Sequence, residues 1–286
     1  MEILINELSL RGQFEDENKF LDNFDMVLKL IKLIDKLNFS LLKEYSFFQS
    51  QITTNSKLDD FLKLRTDRAK RMKRFLSKLA YNPPYWNDAQ KHDCSSNSYT
   101  YNSNNICNSS LAESCERDKI ILSFTHNDFL NTNLEIQKNN TPVNIYNFID
   151  KSNFLDYLLS ISQIEPLKYC QFRFQNSRLN FSLIETGYGF DSLETHQQKE
   201  EFLKAFHDFA REESWENILQ SDGLQYKKYD KPKKKKILGW FRDGTYANTD
   251  IYKFRITQKY RCFGYRENDE FFVLRFEIDH KISDNG

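Results

Sequence analysis

IYKFRITQKYRCFGYRENDEFFVLRFEI, residues Ile251 to Ile278, breaks into three runs with an apolar period of two: Ile251 to Ile256, Tyr260 to Arg266 and Phe271 to Ile278. That period marks half-buried strands. The links Thr257 to Lys259 and Glu267 to Glu270 allow hairpins and are far too short for a parallel crossover, so the runs are expected to be consecutive and antiparallel. Within IYKFRI, Tyr252, Phe254 and Ile256 fall on one face and Lys253 and Arg255 on the other. In the third run Phe272, Leu274, Phe276 and Ile278 face in. The expectation is a sheet with an aromatic inner face and outward cations, which contact phosphates while Tyr260 and Tyr265 stack on bases.

Upstream, Phe172 to Ile184 alternates like a strand or hairpin. Ser192 to Arg211 has helical spacing with Leu193, Phe202, Leu203, Phe206 and Phe209 on one side, and a short helix follows around Trp215 to Leu219. A basic linker from Lys227 to Lys236 precedes the three runs. Between Gly223 and Arg266, Lys227, Lys228, Lys231, the lysines 233–236, Arg242, Lys253, Arg255, Lys259, Arg261 and Arg266 face only Asp230, Asp243 and Asp250. The whole chain balances 41 Lys and Arg against 41 Asp and Glu, so this excess is a local field rather than a global one.

Pro166 is the expected boundary, giving domains 1–165 and 166–286. In the first, Asp16 to Leu37 reads as a helix (Phe20, Phe24, Val27, Leu28, Ile31, Ile34), and so does Lys57 to Leu79, with Ser56 as cap and Asp59 in a capping-box position. The second helix is strongly basic and stops before Pro83-Pro84. Residues 91–117, rich in Asn and Ser above all from Lys91 to Ser110, read as a long disordered-like loop. Short strands are expected at Ile120 to Phe124, Leu134 to Ile136 and Val143 to Ile145, then a helix from Asn153 to Ile164. The predicted class is α+β: a helix-rich first region with a few strands, which regulates or binds a partner, followed by two helices packed on an antiparallel sheet.

Several functions are disfavoured by the residues. With 8 Gly in 286 residues, no three close together, there is no phosphate-cradling loop or dinucleotide fingerprint. The opening MEILINELSLRGQFEDE lacks the basic start of a signal peptide and no run approaches 18 apolar residues, so a cytoplasmic chain without membrane contact is expected. Cys94, Cys107, Cys115, Cys170 and Cys262, without Cys-x-x-Cys, read as reduced thiols. His92, Cys94, Cys107, Cys115 and His126 lie close in sequence, but their only tight pair is His92-x-Cys94, so no metal is expected. No cofactor or nucleophile signature stands out, and His196 and His207 read as ordinary helix-surface residues.

Tyr252-Lys253-Phe254-Arg255-Ile256, then Tyr260-Arg261, then Phe271 to Ile278 followed by His280-Lys281 resembles the strand pattern of the RelE superfamily of bacterial toxins, over about the last 115 residues. The order strand, two helices, antiparallel strands is that of the family. The resemblance implies a metal-independent endoribonuclease acting on translated mRNA at the ribosome, in a toxin-antitoxin or phage-defence setting with an antitoxin or defence-complex partner. By this match Lys253, Arg255, Arg261 and Lys281 hold the RNA backbone and promote 2′-hydroxyl attack. Arg255 and Arg261 suit phosphate charge, and Lys253 or His280 would act as base. Lys227, Lys228, Tyr260, Tyr265 and Arg266 would bind RNA. The alternative is a RelE-like component that binds RNA, ribosome or protein without cleaving. The segment Lys227 to Asp250 looks like an insertion in the family pattern, and the N-terminal RMKRFLSKLAYNPPYW stretch resembles only uncharacterised bacterial proteins.

Overall fold

The chain is described by a computed structural model over residues 1–232 and 239–283. It divides into two units, Met1–Phe154 and Leu155–Gly286. Both mix helices and strands, and among the described residues no helix is long and apolar enough to cross a membrane.

The first unit runs β1 (Glu2–Ile5), α1 (Glu17–Lys36), β2 (Ser40–Leu42), α2 (Leu58–Phe61), α3 (Asp67–Tyr81), β3 (Tyr99–Tyr101), β4 (Asn104–Asn105), α4 (Ser110–Cys115), β5 (Ile120–Leu122), β6 (Asn133–Lys138) and β7 (Thr141–Phe148). The strands form one seven-stranded sheet, ordered β2-β1-β5-β7-β6-β3-β4. Its first four strands are parallel and the remainder antiparallel. The sheet is larger than the few strands expected, because β2, β3 and β4 are too short for a period of two to show. Helix α1 matches its expected span. Asp16 accepts from the Lys19 amide (2.8 Å), and the buried stripe holds Phe20, Phe24, Val27, Ile31 and Ile34.

The single helix expected over Lys57 to Leu79 is two helices. Thr66 caps α3 by accepting from the Ala69 amide, which offers the chain a fresh helix start, while Asp60 rather than Asp59 accepts from the Lys57 amide at the start of α2.

The expected loop at 91–117 is structured. A turn with Asn102 and Ser103 at φ 48° and 63° folds β3 onto β4, and α4 is buried at every residue. The hairpin brings Cys94 and Cys107 within 6.0 Å (Cα to Cα), where they form a disulfide; Cys115, Cys170 and Cys262 are buried thiols. Two of the five thiols expected to be reduced are therefore joined. Tyr99, Ile106, Leu111 and Ala112 complete a core with Leu4, Ile121, Leu134 and Ile145 of the sheet. Few apolar residues suffice here because polar ones are buried in pairs. The Glu113 carboxylate accepts from the amides of Lys91 and His92, from His92 Nδ1 (2.6 Å) and from Arg117 Nε (2.5 Å). Burial alone would raise its pKa; the bonds from His92 and Arg117 hold it below the usual carboxylate range.

Helix α5 (Lys151–Ser160) lies at the division. The second unit continues with α6 (Pro166–Arg173), β8 (Leu179–Asn180), α7 (His196–Arg211), α8 (Trp215–Gln220), β9 (Lys227–Lys228), β10 (Tyr252–Arg255), β11 (Arg261–Glu267) and β12 (Glu270–Glu277). The strand or hairpin expected over Phe172 to Ile184 shrinks to β8. Pro166 opens a helix instead, which buries Tyr169 and Cys170 and takes in Phe172. The sheet order is β8-β12-β11-β10-β9, with β10, β11 and β12 consecutive and antiparallel as expected and β8 parallel to β12, so the sheet is mixed. A register shift sits at Phe263/Gly264. There a Cβ would lie 2.1 Å from the Phe272 carbonyl oxygen, which only glycine avoids.

Candidate nucleic-acid interface

Directly paired residues of antiparallel strands share a face. On one face of the second sheet, Phe254 and Phe276 pack against Phe202, Phe206 and Phe209 of α7, with ring centroids as close as 4.3 Å for Phe202 and Phe276. Lys253 pairs with Phe263 and Arg255 with Arg261, while Arg261 pairs with Glu277 across β12. Sequence alternation thus assigns Lys253 and Arg255 correctly to the face opposite Phe254.

That face is not open to solvent as expected. Tyr229, Trp240, Phe241 and Tyr246, all from the segment that looked like an insertion, close over Phe263 and Leu274 together with Ile251 and Ile282. Arg275 fastens this cover. Its guanidinium lies 4.5 Å from the Phe241 ring and 5.4 Å from that of Trp240, and makes two bonds to the Glu185 carboxylate (2.9 and 2.7 Å). Lys231 Nζ adds three bonds, to the carbonyls of Tyr246, Ala247 and Thr249.

Lys253 lies underneath, 3% exposed, donating to the Ser283 carbonyl (2.7 Å) and 5.3 Å from the Tyr229 ring. The expectation that it points outward is corrected: a second apolar layer, invisible to a period of two, covers the outer face. On β12 the inward set is also shifted. Phe271, Val273, Leu274 and Phe276 are buried while Phe272 is half-buried, because the bulge resets alternation midway. Arg261 donates to the carbonyls of Thr257 and Tyr260 (both 2.8 Å), closing its own hairpin. Arg255 Nε is buried with no hydrogen-bond partner among the described residues. Glu277 accepts from the amides of Ile282 and Ser283. His280 adopts φ 64°, and exposed Lys281 pairs with Asp279 (2.6 Å). Lysines 233–236 lie outside the described residues.

The ring contacts also differ from expectation. Tyr260 stacks on Phe202 (6.0 Å, 9°) and Tyr265 on Phe272 (5.0 Å, 10°), so both rings already have protein partners. A separate ledge forms where β9, β10 and α8 meet. Tyr226 stacks on Tyr252 (5.2 Å, 6°) and lies 5.6 Å from Trp215. The exposed Arg266 guanidinium sits 4.0 Å over the Trp215 ring, and the exposed Lys228 is paired in register with Tyr252. Lys227 is the exposed neighbour of Lys228 on the edge strand, and Lys228 meets Asp250 at 2.8 Å. Three of the expected RNA-binding residues, Lys227, Lys228 and Arg266, thus gather here. Trp215, Tyr226 and Tyr252 escaped sequence reading because their contacts join separate elements, and alternation marks Tyr252 only as inward.

In the first unit, three of the four parallel strands are followed by a buried polar residue: Asn6 after β1, Lys43 after β2 and Ser123 after β5. The Asn6 amide donates to Ser123 Oγ (2.8 Å) between two neighbouring strands. Glu7 accepts from the Ser110 amide (2.9 Å), and burial, reinforced by Glu44, pushes its pKa up to about 7. The available sequence signal is a charge directly after a short apolar run, in ILINE and SLLKE; carboxyl ends of parallel strands are the usual edge for ligands. Among the described residues no group of three or more His, Cys, Asp or Glu is placed to hold a metal, and His92 and Cys94 are engaged by Glu113 and Cys107.

No protein-family model, curated protein or solved structure matches this chain.

Proposed function

We propose that the second unit is a RelE-like module that binds single-stranded RNA without cleaving it, as a component of a bacterial defence system. The observation that carries this reading is the burial of Lys253. This amine, one of the two groups that cleavage would use as base, donates to the Ser283 carbonyl beneath the cover of Tyr229, Trp240 and Phe241. By contrast Lys228 and Arg266 remain exposed, and Tyr252, stacked on the buried Tyr226, is itself only half-buried, a combination that suits phosphate contact with stacking on one ring. Fluorescence anisotropy with a labelled oligo(U) tests it. The wild type should bind, Arg266→Ala should weaken binding and lower the salt slope by about one, and the RNA should stay intact.

A second reading, endoribonuclease, has one observation in its favour: register puts Lys253, Arg255 and Arg261 on a single face. Primer extension on translated mRNA separates the two readings. New 5′ ends with the wild type that Arg261→Ala abolishes would establish the nuclease and sink the binding module.

A further inference from the structure

A cleft of about 780 Å³ lies in the first unit between the end of α1, the edge strand β2 and the second half of α3. Its volume suits a small organic ligand. Phe39 and Phe75 supply apolar wall, and Lys43, Arg74 and Lys78 line it against one carboxylate, Asp35. Asp35 is already matched with Lys78 at 3.0 Å. Arg74 is exposed and has no carboxylate partner among the described residues.

Lys43 is the unusual member. It is 3% exposed and its ammonium donates to the Asn82 carbonyl, 4.7 Å from the Tyr85 ring, with no carboxylate among its described partners. Burial, with Lys78 adding repulsion, lowers its pKa to about 8. A buried ammonium without a counter-charge is costly to hold, and an anion entering the cleft would relieve that cost. The basic face of α3 therefore ends beside a cleft with surplus positive charge.

We infer that this cleft binds a phosphate monoester carried on a flat apolar body, such as a nucleoside monophosphate, with Lys43 and Arg74 on the phosphate and Phe39 and Phe75 against the body. Two cations beyond the Asp35–Lys78 pair match a phosphate dianion, and the aromatic walls match a ring. This site is independent of the RNA ledge in the second unit.

Isothermal titration of the full chain with AMP, adenosine and inorganic phosphate tests it. AMP should bind at least about tenfold tighter than either fragment, and Arg74→Ala, an exposed substitution that leaves the core intact, should weaken AMP by about tenfold. Lys43→Met should weaken it further, with the circular dichroism spectrum reporting whether the fold survives. AMP binding no tighter than adenosine, or unaffected by Arg74→Ala, would overturn the inference. So would an oligo(U) that outcompetes AMP and loses its affinity in Arg74→Ala, which would make the cleft part of a nucleic-acid surface.

Discussion

Residues 91–117, rich in Asn and Ser, and 227–251, rich in Lys, read in the sequence as loop and linker, yet the described residues of each pack into a core by a different means. In the first segment the ordering groups are polar: His92, Glu113 and Arg117 satisfy one another where water is excluded, and the Cys94–Cys107 bridge closes the hairpin. In the second they are aromatic. Tyr229, Trp240, Phe241 and Tyr246 spread over a sheet face and Arg275 fastens them. The difference shows that average composition is a poor guide when a few residues carry the burial. The polar segment builds scaffold, whereas the aromatic one covers the face on which nuclease chemistry was expected.

The largest effect should come from Glu113→Ala. Removing the carboxylate takes the acceptor from His92 Nδ1, from the Lys91 and His92 amides and from Arg117 Nε, with Arg117 keeping only Glu2 and the Ala89 carbonyl, so urea denaturation should show a loss of about 3–5 kcal/mol. Hydrogen exchange should locate the loosening in α4 and β5, and unchanged stability would mean that the polar segment is held by its apolar residues alone. Phe241→Ala should cost about 3 kcal/mol by opening the cover. It also sharpens the functional contrast: if the cover only hides a competent nuclease face, this variant should cleave RNA where the wild type does not. Cys94→Ser, or reduction, should cost about 2–3 kcal/mol for a loop of this length, and equal stability in the reduced and oxidised chains would break the comparison on the polar side.

The smallest effect concerns pH. Glu7 joins the polar segment to β1 through the Ser110 amide, and its folded pKa of about 7 exceeds the ordinary value of 4.5. Between those values the unfolded chain has released a proton that the folded chain keeps, so stability should fall as pH rises from 4.5 to 7 and then level off. Glu7→Gln should flatten that slope and stabilise the protein at pH 7.5 by on the order of 2 kcal/mol. A slope that persists in the variant would assign it to another group.

Local patterns set much of this protein. The period of two over Ile251 to Ile278 determined three strands, their hairpins and which cations share a face, because antiparallel neighbours need only short links and register follows the pleat. Helical spacing likewise determined α1 and the body of α7, whose N-caps, Asp16 and Thr195, the structure adds. What tertiary structure alone decided was what each face meets. Whether Lys253 faces water or lies under Tyr229, whether Cys94 reaches Cys107, and whether Trp215, Tyr226 and Tyr252 form a ledge all depend on segments far apart in the chain. No local period encodes those encounters, because burial is a property of the surfaces that finally meet and not of the residues that carry them.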